Sequence, residues 1–481
     1  MVPFLNPANN QNSAADRFRR LTVIVFSLFF SWLLAVPFEG QVLYAVTDFH
    51  GVSARPLMVG AMAAHFAGLV FCGFLVRNLR AAKRLILASI SFCAVATGVF
   101  FFPPSFLWTA ALLLAAFLVG ACVAAWGFYF KGCTPKDERI KTMADGLIFS
   151  NIIMILLNMA AIHISPQFGL GFSILVLIAA FLFALRLPKE AASESPPAPE
   201  EKTITAAVAN PLAFLCLFVI VISINSGLMY QTVGPAFVNL EWLTSWYWAA
   251  PYIAALFVMR NLPRKINRSY ILYVAIAMIG FSFIAFLLLG RSWPDYLLVN
   301  TLLLGACGVY DLFWWSILGD MLEFGKNPAK ILGAGLAANV IGVLSGGLIG
   351  NTITSVSGQL QNHTLLAFGV VCVTLVMLPP LHKQLTRLLK SHVYLTALSE
   401  MPVQEQTERI KELDIAEKLT ETENKVALLL IQGKTYKTIA GEMFVSENTI
   451  RSHVKSIYGK AGVTTRAGLI NLILKPPNPP S

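Results

Sequence analysis

The feature that most constrains this sequence is a series of long apolar segments along its first 380 residues. An α-helix needs about 20 mostly apolar residues to cross the hydrocarbon core of a bilayer. We therefore predict an all-α, polytopic membrane domain of twelve helices in two sets of six. The segments lie near residues 21–38, 56–76, 85–102, 106–130, 146–164, 168–187, 207–230, 243–260, 270–289, 295–321, 331–353 and 364–380.

Charged residues distinguish this apolar region from the end of the chain. Only 13% of the 481 residues are charged, against about 25% in soluble proteins. Residues 21–380 hold 19 Lys/Arg and 14 Asp/Glu, whereas the much shorter segment 381–481 holds 14 and 10. This distribution excludes a single soluble enzyme, a disordered chain and a disulfide-stapled secreted domain. It predicts a large membrane domain followed by a small soluble one.

The sequence shows no pattern typical of catalysis or of metal binding. Six of the seven cysteines lie inside apolar segments, and their spacing fits neither a metal site nor a disulfide framework. Nucleophile–base sets, phosphate-binding loops and metal-ligand clusters are also missing from the sequence. We therefore expect a protein that is not an enzyme and that uses no metal or other cofactor.

Lysine and arginine are distributed unequally between alternate connections of the apolar segments. The connections on one side carry 20 Lys/Arg, and those on the other side carry only Arg55 and Arg291. Positive residues mark the cytoplasmic side of membrane proteins. We predict a multi-pass protein of the inner membrane, in contact with the lipid bilayer, with both chain ends and the central linker in the cytoplasm.

The two sets of six segments show a short internal similarity. Gly-Ala-Cys occurs at 120–122 and at 305–307, and three aromatic residues begin eight positions after each glycine, at 128–130 and at 313–315. A chance match among common membrane residues is the alternative for this short pattern alone. Parallel six-helix repeats joined by a cytoplasmic linker are the plan of major facilitator transporters. The membrane domain therefore resembles that family, with halves at 21–187 and 207–380 and a linker at 188–206.

The loop between the second and third segments departs from the family's pattern. The family signature there is roughly G-x-L-x-D-R-x-G-R-R/K, and this chain has GFLVRNLR at 73–80. The first Gly and the Leu match, but the acidic residue and the second Gly are missing. In the transporters this loop helps to gate the alternation between open states. Its divergence argues against active transport while leaving the fold prediction intact.

Several polar residues lie at bilayer depth, where they are costly and mark candidate functional sites. Asp311, near the middle of the tenth segment, is the strongest candidate because a carboxylate there needs a partner or a water-filled cavity. The alternative is that each Asn bridges helices and that Glu39 reaches the outer interface. The candidate ligand-sensing residues are Asp311, His65, Glu39, Asn158 and Asn225.

The soluble tail, residues 381–481, begins with two linking segments. The stretch LHKQLTRLLKSHVYLTAL places leucines at helical spacing with basic residues between them. A basic amphipathic segment directly after a span is typical of contact with the anionic inner leaflet. An acid-rich spacer follows at 404–418. We place a cytoplasmic segment at 1–20, the juxtamembrane and linker region at 381–418, and a separate domain at 419–475.

The last domain has signals for four short helices. Thr420 and Glu423 form the pattern of a capping box that opens the first helix. The second helix covers about 435–443, and Ser446 caps a third that continues to about 460. A fourth covers about 465–474. In a helix-turn-helix arrangement, the second helix of the motif lies in the DNA major groove.

The whole stretch from 419 to 474 resembles the LuxR-type helix-turn-helix domain. Departures are modest: Thr422, Thr438 and Ala461 stand where the family usually has Arg, Glu and Leu. The resemblance implies binding to double-stranded DNA as a homodimer that pairs through the fourth helix. The matching positions are Leu419, Thr420, Glu423, Val426, Leu429, Gly433, Ile439, Ala440, Val445, Ser446, Thr449, Ile450, His453, Ile457, Lys460, Gly462, Val463 and Arg466.

Electrostatics agree with a DNA-binding role, because residues 433–475 carry seven Lys/Arg and two Asp/Glu. Arg451, Ser452 and Lys455 share one face of the third helix, at positions that meet bases in the family. The residues expected to contact phosphates, which position the protein without reading sequence, are Lys437, Thr449 and Lys460. A small helical bundle for protein contacts is the alternative.

These features leave three functional hypotheses. The first is a membrane-embedded one-component transcription regulator, whose membrane domain senses an unknown small-molecule ligand or a membrane state. The second is a secondary transporter with a regulatory DNA-binding tail, and the third is a transporter whose tail binds a protein. The diverged loop at 73–80 favours the first. Ligand, operator and direction of regulation are not predicted by the sequence.

Overall fold

The computed structural model describes residues 7–38, 40–135, 138–189, 201–262, 268–325, 327–357, 360–388, 419–431, 434, 436–463 and 466–473. Every regular element in these ranges is a helix, which confirms the all-α prediction. Contacts divide the chain into two units, Met1–Leu381 and His382–Ser481, and each is described by itself. The domain boundaries proposed from the sequence stay predictions.

The membrane unit contains fourteen α-helices within the described ranges. They are α1 (Pro7–Ala35), α2 (Gln41–Phe49), α3 (Ala54–Leu75), α4 (Leu79–Val99), α5 (Phe106–Cys133), α6 (Arg139–His163), α7 (Pro166–Leu185), α8 (Glu201–Ala236), α9 (Glu241–Tyr247), α10 (Ala250–Asn261), α11 (Arg268–Leu288), α12 (Trp293–Met321), α13 (Pro328–Ser357) and α14 (Leu360–Leu388). Among the described residues, 11 of these helices are long and apolar enough to cross a membrane. The short helix α2 was not predicted.

The eighth predicted span is interrupted. Residues 243–260 were expected to form one helix, but the chain forms α9 and α10 with a turn between them. Pro251 lies in the first turn of α10, and because a proline has no N–H to donate, it cannot extend the hydrogen bonding of α9. The Nδ2 of Asn300 donates to the carbonyls of Tyr247 and Trp248, at 3.3 and 3.2 Å. The twelve-span prediction therefore remains consistent with the structure, although neither α9 nor α10 spans alone.

Helix packing repeats between the two halves. In the first half α1 packs against α6 and α3 against α5, and in the second α8 packs against α13 and α10 against α12. Helices that cross this closely need small residues at the contact. A Cβ atom on Gly120 would lie 2.2 Å from the carbonyl oxygen of His65. A Cβ atom on Gly308 would lie 2.6 Å from the carbonyl oxygen of Tyr252. The second crossing thus uses Gly308, one turn after Gly305 of the repeated tripeptide.

The tail unit contains the four predicted helices. They are α15 (Glu421–Ile431), α16 (Tyr436–Glu442), α17 (Glu447–Lys460) and α18 (Arg466–Ile473). Their apolar faces enclose one core, formed by Val426, Ala427, Leu430, Ile431, Ile439, Ala440, Ile450, Val454, Ile457 and Leu469. The start of the predicted amphipathic segment continues α14 as far as Leu388, and the remaining linker, 389–418, lies outside the described residues.

Candidate functional site

Helix α17 is positioned by its cap and by its apolar face. The Ser446 hydroxyl accepts a hydrogen bond from the Thr449 backbone N–H at 3.1 Å, which begins the helix. Ile450, Val454 and Ile457 are buried in the domain core. Because residues three and four apart share a helix face, burying these three side chains turns the opposite face of α17 to solvent.

The predicted base-contacting residues lie on this exposed face. Arg451, Ser452 and Lys455 are all exposed. Arg451 forms an ion pair with Glu447 at 2.8 Å, yet its side chain stays 63% exposed, so the pair leaves most of the guanidinium accessible. The structure therefore brings the three residues together as one polar, solvent-facing surface.

The predicted phosphate-contacting residues are placed less uniformly. Thr449 is exposed at the start of α17, and its hydroxyl lies 2.8 Å from that of Ser446. The ammonium of Lys460 donates to Glu423 at 2.6 Å and so already has an anionic partner inside the domain. Lys437 belongs to α16, but its side chain lies outside the described residues. All three phosphate contacts stay predictions.

Glu423 is the buried acidic centre of the tail unit. Its side chain accepts hydrogen bonds from the Thr420 backbone N–H at 2.8 Å and from Ser456 and Lys460 at 2.6 Å each. The Glu423 N–H donates to the Thr420 hydroxyl in return, at 3.3 Å, which confirms the predicted capping box. Burial acts to raise the pKa of Glu423, but these hydrogen bonds outweigh it and lower the pKa to about 2. The group stays ionised and ties α15 to α17.

The membrane unit contains a cavity of about 130 Å³ lined by both halves. It brings together Asp311 of α12 and His65 of α3, two of the predicted sensing residues, which are far apart in sequence. Its volume is roughly ten times what one water molecule requires, so several waters or a small molecule fit. The cavity is therefore large enough for a small ligand.

Two neutral groups hold the Asp311 carboxylate. The Tyr252 hydroxyl donates to Oδ2 at 3.1 Å, and the indole N–H of Trp314 donates to Oδ1 at 3.0 Å. Ser226 and Tyr310 extend the polar network beside it, with hydroxyl oxygens 3.0 Å apart. Each carboxylate oxygen is thus oriented while the side chain still lines the cavity.

Two of the other predicted sensing residues, Asn158 and Asn225, do not line this cavity. Asn158 and Asn225 are buried elsewhere in the membrane unit, and their amide atoms have no hydrogen-bond partner in the described part of the chain. Glu39 lies outside the described residues. The cavity also includes Trp248, which sequence reasoning missed because tryptophans at helix ends are typical of membrane interfaces, and Tyr252, which lies inside the predicted eighth span.

Polar contacts join the two halves at both ends of the membrane unit. On the side of the basic loops, Arg139 pairs with Glu323, and Arg260 pairs with Asp145 at 2.5 Å. On the opposite side, the guanidinium of Arg55 donates to Asn351 at 2.9 Å and to Gln231 at 2.5 Å. The side of the basic loops is therefore held by ion pairs, and the opposite side by hydrogen bonds to neutral amides.

Comparison with known proteins separates the two units. Residues 417–473 match the family model of bacterial regulatory proteins of the luxR family. The spore germination protein GerE of Bacillus subtilis (strain 168) is 40% identical over 65 residues, which cover 14% of this chain and 88% of GerE. Most of GerE is therefore similar to this one domain.

Two solved transporter structures are similar to the membrane unit. The human organic anion transporter MFSD10 (TETRAN) has a TM-score of 0.55 and 15% identity, and the major facilitator superfamily transporter FucP in the outward conformation has 0.56 and 13%. Each match covers 75% of this chain and 98% of the other. At this identity the likeness shows the fold alone, and it confirms the fold prediction. The chain belongs, through its C-terminal domain, to the luxR family of bacterial regulatory proteins, and it carries that domain on a membrane unit with the major facilitator fold.

Proposed function

We propose that this protein is a membrane-embedded, one-component transcription regulator. Its tail binds double-stranded DNA through α17 and forms a homodimer through α18, on the cytoplasmic side of the inner membrane. Its membrane unit senses a small molecule in the cavity beside Asp311. The observation that carries the proposal is the presence, in one chain, of a luxR-family domain with an exposed basic helix and a multi-helix membrane unit with a polar cavity.

Genome-wide mapping of DNA occupancy tests the regulatory function directly. Full-length protein should occupy discrete sites, and a variant lacking residues 419–481 should occupy none. Uptake assays in proteoliposomes test the alternative of a secondary transporter with a regulatory tail. Substrate accumulation driven by an ion gradient, together with DNA occupancy, would favour that alternative, and accumulation without any DNA occupancy would favour a transporter whose tail binds a protein.

Substitutions in the helix-turn-helix motif should distinguish residues that recognise the DNA sequence from residues that contribute affinity for any DNA. Arg451→Ala or Lys455→Ala is expected to cost about 1–3 kcal/mol of discrimination between specific and random DNA, because base contacts carry the specificity. Lys437→Ala should weaken binding to all sequences alike and reduce its salt dependence. Lys425→Ala on α15, away from the exposed face of α17, is the matched control. Equal losses on specific and random DNA for Arg451 and Lys455 would contradict the assignment.

The orientation of the chain is testable with reporter fusions. The bias of Lys and Arg toward alternate connections motivates fusions at Ser195 in the central linker and at Ser481. Both reporters should show cytoplasmic activity. Periplasmic activity at either position would rule out the proposed 6+6 topology.

Coupling between the cavity and the tail should depend on Asp311. A ligand shifts the tail only by its differential affinity for two states of the membrane unit. A coupling of about 1–3 kcal/mol corresponds to roughly a 5–150-fold change in DNA affinity. Asp311→Asn keeps the shape of the side chain and removes its charge, so it should alter the ligand response of a reporter gene. An unchanged dose dependence in the full-length variant would show that Asp311 is only structural.

A further inference from the structure

The described lining of the cavity in the membrane unit has one acidic side chain and no lysine or arginine to pair with it. Of its 21 lining residues, Asp311 is the only carboxylate and none is Lys or Arg. Both described partners of Asp311, Tyr252 and Trp314, are neutral donors. Neutral donors stabilise a carboxylate, but they do not cancel its charge, and an ionised group at bilayer depth is costly unless it has a counter-charge or water. The chemistry of the pocket therefore favours a positively charged occupant.

Aromatic side chains form much of the remaining wall. Phe30, Phe38, Tyr230, Trp248, Tyr252 and Trp315 line the cavity. Contacts between rings hold some of them in place: Phe30 meets Trp315 edge-on at 6.1 Å, and Trp315 stacks on Trp314 at 5.3 Å. Aromatic faces attract cations, and quaternary ammonium groups are recognised by cages of such rings.

Two lining side chains also keep buried nitrogen atoms without partners in the described part of the chain. They are Nδ1 of His65, whose side chain is 5% exposed, and the indole Nε1 of Trp248. A buried polar group without a partner costs free energy that a suitable ligand can recover. The indole N–H can only donate, so a hydroxyl or carbonyl oxygen on the occupant would satisfy it.

We propose that the cavity binds a small organic cation, with its ammonium group beside Asp311, its carbon atoms against the aromatic wall and a polar oxygen toward Trp248. This inference rests on the proposed function, because it names the class of ligand that the membrane unit senses. It defines the occupant by charge, size and one hydrogen-bond acceptor.

Direct binding to the full-length protein in lipid nanodiscs tests the proposal. The probes are tetramethylammonium, choline and phenethylammonium, with the carbon isostere of choline, in which an uncharged carbon replaces the quaternary nitrogen. Intrinsic tryptophan fluorescence reports binding, because Trp248 and Trp315 line the cavity. We expect at least one cation to bind, and choline to bind at least about 10-fold more tightly than its isostere.

Two variants connect the charge preference to the site. Asp311→Asn should reduce the ratio of choline to isostere affinity to about one. Asp48→Asn, which removes an exposed carboxylate on α2 outside the cavity, should keep the wild-type ratio. The wild-type ratio is informative even if Asp311→Asn fails to fold. Equal affinities for choline and its isostere, or no response to any of the three cations, would overturn the proposal.

These outcomes are distinct from failure of the regulatory function. If the cation preference is absent but DNA occupancy is retained, the ligand class is wrong and the regulator remains. If occupancy is absent but cations bind with the expected ratio, the regulatory function is wrong and the binding site remains.

Discussion

Glu423→Ala is expected to destabilise the DNA-binding domain by about 3 kcal/mol, because it removes a buried carboxylate that accepts several hydrogen bonds, and hydrogen bonds to charged groups contribute about 1.5–3 kcal/mol each. The buried carboxylate joins the start of α15 to Ser456 and Lys460 of α17. A small domain has only about 5–15 kcal/mol of total stability, so this loss is a large fraction. Urea unfolding of a fragment covering residues 417–481, followed by circular dichroism, measures it.

Glu421→Ala is the matched control on the same helix. The Glu421 side chain is 88% exposed, and within the described part of the chain its ion pair is with Lys425, so its loss should change stability by less than about 0.5 kcal/mol. Similar losses of stability from Glu423→Ala and Glu421→Ala would mean that the hydrogen bonds of Glu423 do not stabilise the domain.

The Glu423 network also predicts how stability depends on pH. The pKa of this group is lowered from 4.5 to about 2 in the folded domain. Its contribution is therefore complete above pH 4.5 and is lost as the pH falls toward 2. Glu423→Gln should show a flatter stability profile across that interval than the wild type.

Gly68→Ala should destabilise the membrane unit by about 3 kcal/mol, at the upper end of overpacking effects. Its Cβ would lie 1.9 Å from the carbonyl oxygen of Phe117, where α3 crosses α5. Because that oxygen belongs to the backbone, the whole crossing must widen to accept the methyl group. Thermal unfolding in detergent, monitored by size-exclusion chromatography of the remaining folded protein, measures the change.

Gly98→Ala on α4 provides the comparison, because a Cβ there meets nothing within 4 Å. Alanine is favoured over glycine in helices by about 1 kcal/mol, so this variant should be as stable as the wild type or more so. A loss at Gly98 equal to that at Gly68 would show that helix crossing is not the cause.

Local patterns predicted most of the helices, because length and polarity determine them. The apolar segments gave the spans, and Thr420 with Glu423 gave the start of α15. The break before Pro251 was missed because the surrounding segment is apolar enough to span as one helix. A proline indicates a helix break only if it is known to lie in the first turn of a helix, and prolines also lie inside α8 and α14.

The site was predicted only in part, since long-range packing determines which residues meet. Asp311 and His65 were identified from their polarity, but nothing in their spacing indicates that α12 and α3 line one cavity. Lys460 was expected at the DNA backbone because of its charge. Its pairing with Glu423, 37 positions earlier in the sequence, depends on how α15 packs against α17.

The interruption of the eighth span has a mechanical consequence. Helix α10 has 12 residues and, at 1.5 Å per residue, is about 18 Å long. A change of about 10° in the angle at Trp248 would therefore displace its far end by about 3 Å. Arg260 lies near that end, 2.5 Å from its Asp145 partner. The start of α10, at Tyr252, lines the cavity, and its far end, at Arg260, forms an ion pair between the two halves. A small rotation of α10 about the break would therefore move the ion pair more than it moves the cavity wall.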